Sequence, residues 1–292
     1  MEKFSRIIAG FWRLQEWNMH SQQLLSFINQ CIDLRITSFD HADIYGGYEC
    51  EALFGEALKL ESSIRKKMQL VTKCGIKLVS SKFPGTKLQH YDTGKSHIIA
   101  SVEQSLKNFN TDYIDLLLIH RPDPFMDAEE TAEAFSQLKE EGKVLSFGVS
   151  NFLPSQYDLL SSKLPFPLIT NQVEFSPLCM NPLDDGTFDQ CQRLGISPMA
   201  WSPFAGGKLF SGKDEQNVRM REALQEISKC FEGTSIDQIA LAWILNHPVK
   251  VYPVLGTGKI DRIKKALKAM DIQLTREQWF SVWCASKGHG VP

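Results

Sequence analysis

Three observations predict a (β/α)8 TIM barrel, a single domain over residues 1–292 with extra helices near the C-terminus and little or no N-terminal hairpin. Eight short apolar runs alternate with longer amphipathic stretches from end to end. Eight is the number of parallel strands that closes such a barrel. No GxGxxG follows the first run, which argues against an open doubly wound sheet, and no linker or break in composition divides the chain.

The runs read as strands are Ile7–Phe11, Ile36–Phe39, Met68–Cys74, Ile114–Ile119, Val144–Val149, Leu168–Asn171, Ser197–Trp201 and Val251–Leu255. Helical spacing predicts helices over Ser21–Asp33, Glu49–Lys59, Lys95–Asn108, Asp127–Glu141, Ser155–Ser162, Thr187–Arg193 and Asn217–Cys230. Ile99, Val102 and Leu106, for example, share one face. Asp127 and Ser155 suit N-caps, and Gly142 and Gly195 fall where helices should stop. Two extra helices are expected over Ser235–Asn246 and Thr275–Cys284.

The 292 residues are 43% hydrophobic, enough for a large core, and the net charge of −2 gives no electrostatic footprint for nucleic acid or an anionic membrane. The opening MEKFSRIIAGFW lacks the pattern of a signal peptide, and no apolar run reaches the ~20 residues of a membrane span. A soluble, cytoplasmic protein is expected. Its seven cysteines form no CxxC pair and read as reduced, packed thiols, with no metal site.

In a parallel barrel the C-terminal strand ends share one rim, where function gathers. Asp40, Tyr45, Lys73 and His120 lie at or just past the ends of separate runs, followed by Ser150, Asn151, Gln172, Trp201 and Gly256–Arg262. Each residue alone has a structural explanation as a turn or rim residue. Together, a carboxylate, a phenol, an ammonium and an imidazole form a proton-delivery device. A tyrosine of pKa about 10 is a poor acid near neutrality, and an ammonium against its oxygen should lower that value. Asp40 would hold Lys73 charged, and His120 would orient a substrate oxygen. Such a group can protonate an oxygen that becomes alkoxide-like, as hydride addition to a carbonyl requires.

The segments FDHADIYG, VTKCG, LLIHRPDP, GVSNF, NQVEFSP, AWSPFAGG and GTGKIDRI, in this order and over nearly the whole chain, resemble the aldo-keto reductases, most closely the bacterial YdhF-like branch. The resemblance implies NADPH-dependent reduction of aldehydes or ketones. It implies Tyr45 as general acid, Lys73 and Asp40 tuning it, and His120 orienting the carbonyl. Ser150, Asn151 and Gln172 match positions that bond the nicotinamide carboxamide, and Trp201 the stacking aromatic. Ser202, Phe204, Gly206 and Gly207 match a pyrophosphate strap. Gly256, Thr257, Lys259 and Arg262 match the segment around the 2′-phosphate. Better-known members have lysine where this chain has Gly256, but Lys259 and Arg262 still offer two cations.

Trp12, Trp17 and Phe83 are candidates for an apolar substrate mouth or for loop packing. GKLFSGK at 207–213 fits part of a phosphate-binding loop, but Asp214 follows where Ser or Thr is needed. The partner expected is a small carbonyl compound; oligomeric state is not encoded legibly. Rival readings are an NADPH-holding regulatory or binding subunit and a lyase using Lys73 as a Schiff-base amine.

Overall fold

The computed structural model describes residues 4–292. Its strands are β1 (Ile8–Gly10), β2 (Ser38–Asp40), β3 (Gln69–Cys74), β4 (Ile76–Lys77), β5 (His90–Tyr91), β6 (Leu116–Ile119), β7 (Phe147–Ser150), β8 (Asn171–Glu174), β9 (Met199–Trp201) and β10 (Tyr252–Leu255). The helices are α1 (Ser21–Asp33), α2 (Cys50–Leu60), α3 (Lys95–Phe109), α4 (Ala128–Glu140), α5 (Pro154–Ser161), α6 (Asn181–Asp184), α7 (Thr187–Leu194), α8 (Lys208–Ser211), α9 (Glu215–Ser228), α10 (Ile236–Leu245), α11 (Ile260–Leu267) and α12 (Arg276–Lys287). The strands form a closed barrel in the order β1-β10-β9-β8-β7-β6-β3-β2, with β4 and β5 as a separate antiparallel pair.

Two compact groupings make up the chain. The first runs through Asn171 and takes in Gly256–Ile260; the second comprises Gln172–Leu255 and Asp261–Pro292. In the first, β1, β2, β3, β6 and β7 pair in parallel, with Asp40 beside Val71 and Lys73 beside Leu118. The strands β1, β2, β6 and β7 are buried throughout. Near-continuous burial matches their largely apolar reading. At the N-terminal side of β1 and β2, Ser5 and Ser38 exchange hydrogen bonds and Phe4 is buried. No hairpin precedes β1 among the described residues. In the second grouping β8, β9 and β10 pair in parallel, and Trp243 of α10 stacks on Trp279 of α12, each indole donating to the other's backbone carbonyl.

Caps follow local chemistry. Asp127 accepts hydrogen bonds from Glu129 and Glu130 at the start of α4, and Gly195 ends α7 with a φ of 67°. Ser155 does not cap α5. Pro154 occupies its first turn and Leu153 its N-cap, because a proline suits the position whose N–H is unpaired anyway.

The sixth barrel strand is Asn171–Glu174, displaced from the expected Leu168–Asn171. The apolar run precedes the strand, and the strand itself begins with buried Asn171 and Gln172. Burial of Asn171 is tolerated because its side chain accepts from Phe152 N–H and donates to Phe152 C=O, at 3.3 and 2.7 Å. Gln172 therefore sits inside a strand, not beyond one. The β4–β5 pair and α11 also went beyond the expectation. The first is too short to show alternation. The second buries a single narrow stripe, Ile263 and Ala266.

Candidate active site

Lys73 is the hinge of the site. Parallel pairing of β2 with β3 sets Asp40 and Lys73 on neighbouring strands, and the turn after β2 brings Tyr45 back over them. The Lys73 ammonium is 1% exposed and donates to both Asp40 carboxylate oxygens at 2.9 and 2.8 Å, to His41 C=O at 2.7 Å and to Tyr45 Oη at 3.1 Å. A lysine this buried persists only because its donors are satisfied and its charge is matched. His120 follows β6 directly, and its N–H donates to Cys74 C=O at 2.9 Å. Its ring stands edge-on to Tyr45 with centroids 5.8 Å apart. The four residues foreseen at strand ends, two of them belonging to the end of β2, thus meet at one place.

Burial opposes the Lys73 charge, but Asp40 and Tyr45 outweigh it and hold the ammonium above its ordinary value. Burial likewise raises the Tyr45 phenol; Lys73 pulls it down and Asp40 pushes it up, and the net direction is upward. The expected lowering is therefore corrected: the lysine acts as foreseen but desolvation wins. Tyr45 consequently keeps its proton at neutral pH, as an acid must. Burial, with the nearby Lys73 and Arg121 cations, pushes His120 well below the ordinary imidazole value, so it is neutral. Its Nδ1 is buried without a hydrogen-bond partner.

Sequence reasoning missed a second buried layer. Glu51 of α2 accepts hydrogen bonds from Thr72, Ser105 and Asn108 at 2.6, 2.9 and 3.0 Å. Asp43 donates its N–H to Lys73 C=O at 3.0 Å, and its Oδ1 is buried unpartnered. Burial raises both carboxyls, and the Glu51 charge raises Asp43 further. Neither residue was singled out in the sequence; the i, i+3, i+4 pattern of α2 placing Glu51 beside Phe54 and Gly55 was the available signal.

The expected cofactor residues divide between the two groupings. In the first, Ser150 is buried at the end of β7. Asn151, with a φ of 62°, donates to Ser150 Oγ at 2.8 Å and to His120 C=O at 3.3 Å. Gly256 and Lys259 are exposed there, and Lys259 N–H donates to Thr257 Oγ1 at 3.3 Å. In the second, Gln172 is buried and donates to Met199 Sδ at 3.6 Å, while Trp201 is half-buried. Ser202, Ala205, Gly206 and Gly207 carry φ values of 51, 49, 64 and 98° around the aromatic Phe204. Within this turn Ala205 N–H donates to Ser202 C=O at 2.7 Å and Gly207 N–H to Phe204 C=O at 2.9 Å. Open space surrounds the missing Cβ of Gly206 and of Gly207. Arg262 is exposed in the first turn of α11.

Trp12 is 58% exposed on the loop after β1, with Arg13 over its ring. Trp17 instead packs on Phe11 and Phe27 with centroids 5.2 and 5.6 Å away, and Phe83 leans on Tyr48. Asp214 caps α9 by accepting from Asn217 N–H at 2.9 Å, which accounts for the carboxylate that spoils the phosphate-loop pattern.

The model of the Aldo/keto reductase family matches residues 6–282. The chain belongs to this family. It is 50% identical to the oxidoreductase YdhF of Escherichia coli, over 99% of this chain and 96% of the relative. It is 42% identical to a protein of Agrobacterium fabrum named 6-dehydroglucose reductase, over 99% and 96%. Among solved structures it resembles the thermostable aldo-keto reductase Tm1743 in complex with the inhibitor epalrestat, with a TM-score of 0.79 and 28% identity over 97% of this chain and 94% of that one. This aldo-keto reductase is thus an oxidoreductase whose barrel carries a buried ammonium, a protonated phenol and a neutral imidazole together. That set can deliver one proton from the phenol to an oxygen, with the ammonium beside the phenolate that forms.

Proposed function

We propose that the reductase converts aldehydes or ketones to alcohols with NADPH. The observation that carries this reading is the Lys73 ammonium, bound to both Asp40 oxygens and donating to Tyr45 Oη at 3.1 Å. NADPH, when bound, supplies the hydride. Tyr45 then gives its proton to the carbonyl oxygen as negative charge develops there, and the neighbouring ammonium stabilises the phenolate left behind. Asp40 and His41 C=O keep the ammonium in place. His120, neutral, aims the substrate oxygen at Tyr45.

Ser150, Asn151 and Gln172 are the proposed carboxamide partners and Trp201 the stacking ring. Ser202, Phe204, Gly206 and Gly207 form the proposed pyrophosphate strap. Gly256, Thr257, Lys259 and Arg262 receive the adenosine end, where two exposed cations favour the extra phosphate of NADPH over NADH. Trp12 and the fully exposed Phe125, in loops after β1 and β6, support substrates with an apolar face. The relative named for 6-dehydroglucose puts oxidised sugars into the same test.

The test is NADPH oxidation across a panel of aldehydes, ketones and oxidised sugars, with Tyr45→Phe in parallel. Loss of one general acid should lower kcat by about 10²–10⁴-fold. Undiminished turnover in that variant removes Tyr45 from its role, and an inert wild-type protein removes the reading.

A further inference from the structure

The turn that carries Tyr45 runs on through three residues in the left-handed region: Gly46, Gly47 and Tyr48, with φ of 61, 64 and 73°. Glycine adopts this region freely, whereas a tyrosine there must be held by its surroundings. The β4–β5 hairpin supplies the hold. Tyr48 Oη accepts the Leu78 N–H at 2.8 Å, Lys82 Nζ donates to Tyr48 C=O at 3.0 Å and pairs with Glu49 at 2.8 Å, and the Phe83 ring meets the Tyr48 ring with centroids 4.8 Å apart.

The same hairpin reaches the other two segments of the site. It leaves β3, the strand of Lys73, through Gly75, whose C=O accepts from Asp92 N–H at 3.1 Å. On its return, Thr93 Oγ1 donates to Asp123 Oδ2 at 2.9 Å, three residues past His120. Meanwhile Val79, Phe83, Leu88 and Tyr91 stay exposed. A segment present only for stability would bury such side chains; this one spends its contacts on the chain segments that bear Tyr45, Lys73 and His120.

We propose that Tyr48 is a positioning residue, a latch that ties the β4–β5 hairpin to the Tyr45 turn and fixes the phenol against the Lys73 ammonium. The inference rests on the proposed reduction. Tyr48→Phe keeps the ring contact and deletes the acceptor of the Leu78 N–H. Tyr48→Gly deletes the latch and relieves the backbone. Both should lower kcat by about 5–10-fold, the scale of one hydrogen bond, while KM for the carbonyl and the affinity for NADPH change by less than about twofold. Lys82→Ala should act in the same direction, and the Tyr48→Phe/Lys82→Ala double variant should lose less than the product of the two.

Wild-type turnover with kcat of both Tyr48 variants within twofold of it overturns the latch. So does a loss that merely tracks a lower folded fraction in urea titration. If the wild-type protein reduces no carbonyl, the functional reading fails separately, and the latch is then decided by amide exchange. The Gly47 and Tyr48 N–H groups, both bonded to Ile44 C=O, should exchange faster in Tyr48→Phe, and unchanged exchange overturns it.

Discussion

The Lys73 ammonium holds both oxygens of the Asp40 carboxylate, at 2.9 and 2.8 Å, in a place where both side chains are buried. Breaking one side of such a pair leaves the other as an uncompensated charge. Lys73→Met should therefore destabilise the fold by about 3–5 kcal/mol. The Asp40→Asn/Lys73→Met double variant should recover a large part of that loss. Urea unfolding midpoints with an unchanged m-value check it; equal stability of wild type and Lys73→Met counts against the pair's coupling.

The pH dependence of carbonyl reduction follows from the two directions at the site. Burial holds the Tyr45 phenol above its ordinary value of about 10, so the acid form persists into alkaline solution. Burial and the Lys73 charge hold His120 well below about 6.5, so it stays neutral through mildly acidic solution. The expected kcat/KM profile is flat from about pH 7 to 9, with no ionisation near 6.5. A limb centred near 6.5 that vanishes in His120→Gln refutes the assignment of a neutral imidazole.

Asp43 and Glu51 bias stability in the opposite sense to the buried histidines. Burial raises both carboxyls, so the folded chain keeps protons that the unfolded chain releases above about pH 4. Their contribution is full below that pH and is lost as pH rises toward the folded values. His41, with burial and then Lys73 lowering its pKa, contributes above about pH 6.5 and loses that contribution as pH falls through its folded value. Asp43→Asn should accordingly gain more relative to wild type at pH 8 than at pH 4.5. Denaturation midpoints at several pH values give the comparison, and a pH-independent difference excludes Asp43 as the titrating group.

At Gly55, α2 lies close against the backbone of α3. A Cβ there would lie 1.8 Å from the Asn108 carbonyl oxygen, which is backbone and cannot swing aside. Gly55→Ala should cost about 1–3 kcal/mol or more through overpacking, despite the better helix propensity of alanine. Because Asn108 also bonds Glu51, the substitution should lower kcat as well. Thermal unfolding together with turnover reads both effects; a stabilised variant contradicts the predicted contact.

Most of the barrel was legible because its strands are largely buried and read as predominantly apolar runs. Asp40, Lys73 and His120 announced themselves by interrupting or ending those runs. The failures share a cause: polar groups buried by satisfying one another leave no apolar signature. Asn171 and Gln172 begin a strand that the apolar rule ended too early, because the Asn171 amide is matched by the backbone of Phe152. Glu51 is buried on a helix because Thr72, Ser105 and Asn108, distant in sequence, converge on it. The rise of the Tyr45 phenol was missed for a related reason. A neighbour's charge can be guessed from residue type, whereas the depth of burial is a property of the assembled chain.

One contact of Lys73 has a different standing from the rest. Its donation to the His41 carbonyl, at 2.7 Å, is made to main chain, while the His41 imidazole is stacked on Phe11 with centroids 4.7 Å apart and edge-on to Phe54. The acceptor survives every replacement of the side chain at position 41. The ammonium is thereby anchored to the path of the backbone, while the side chain of the same residue is given over to the aromatic core.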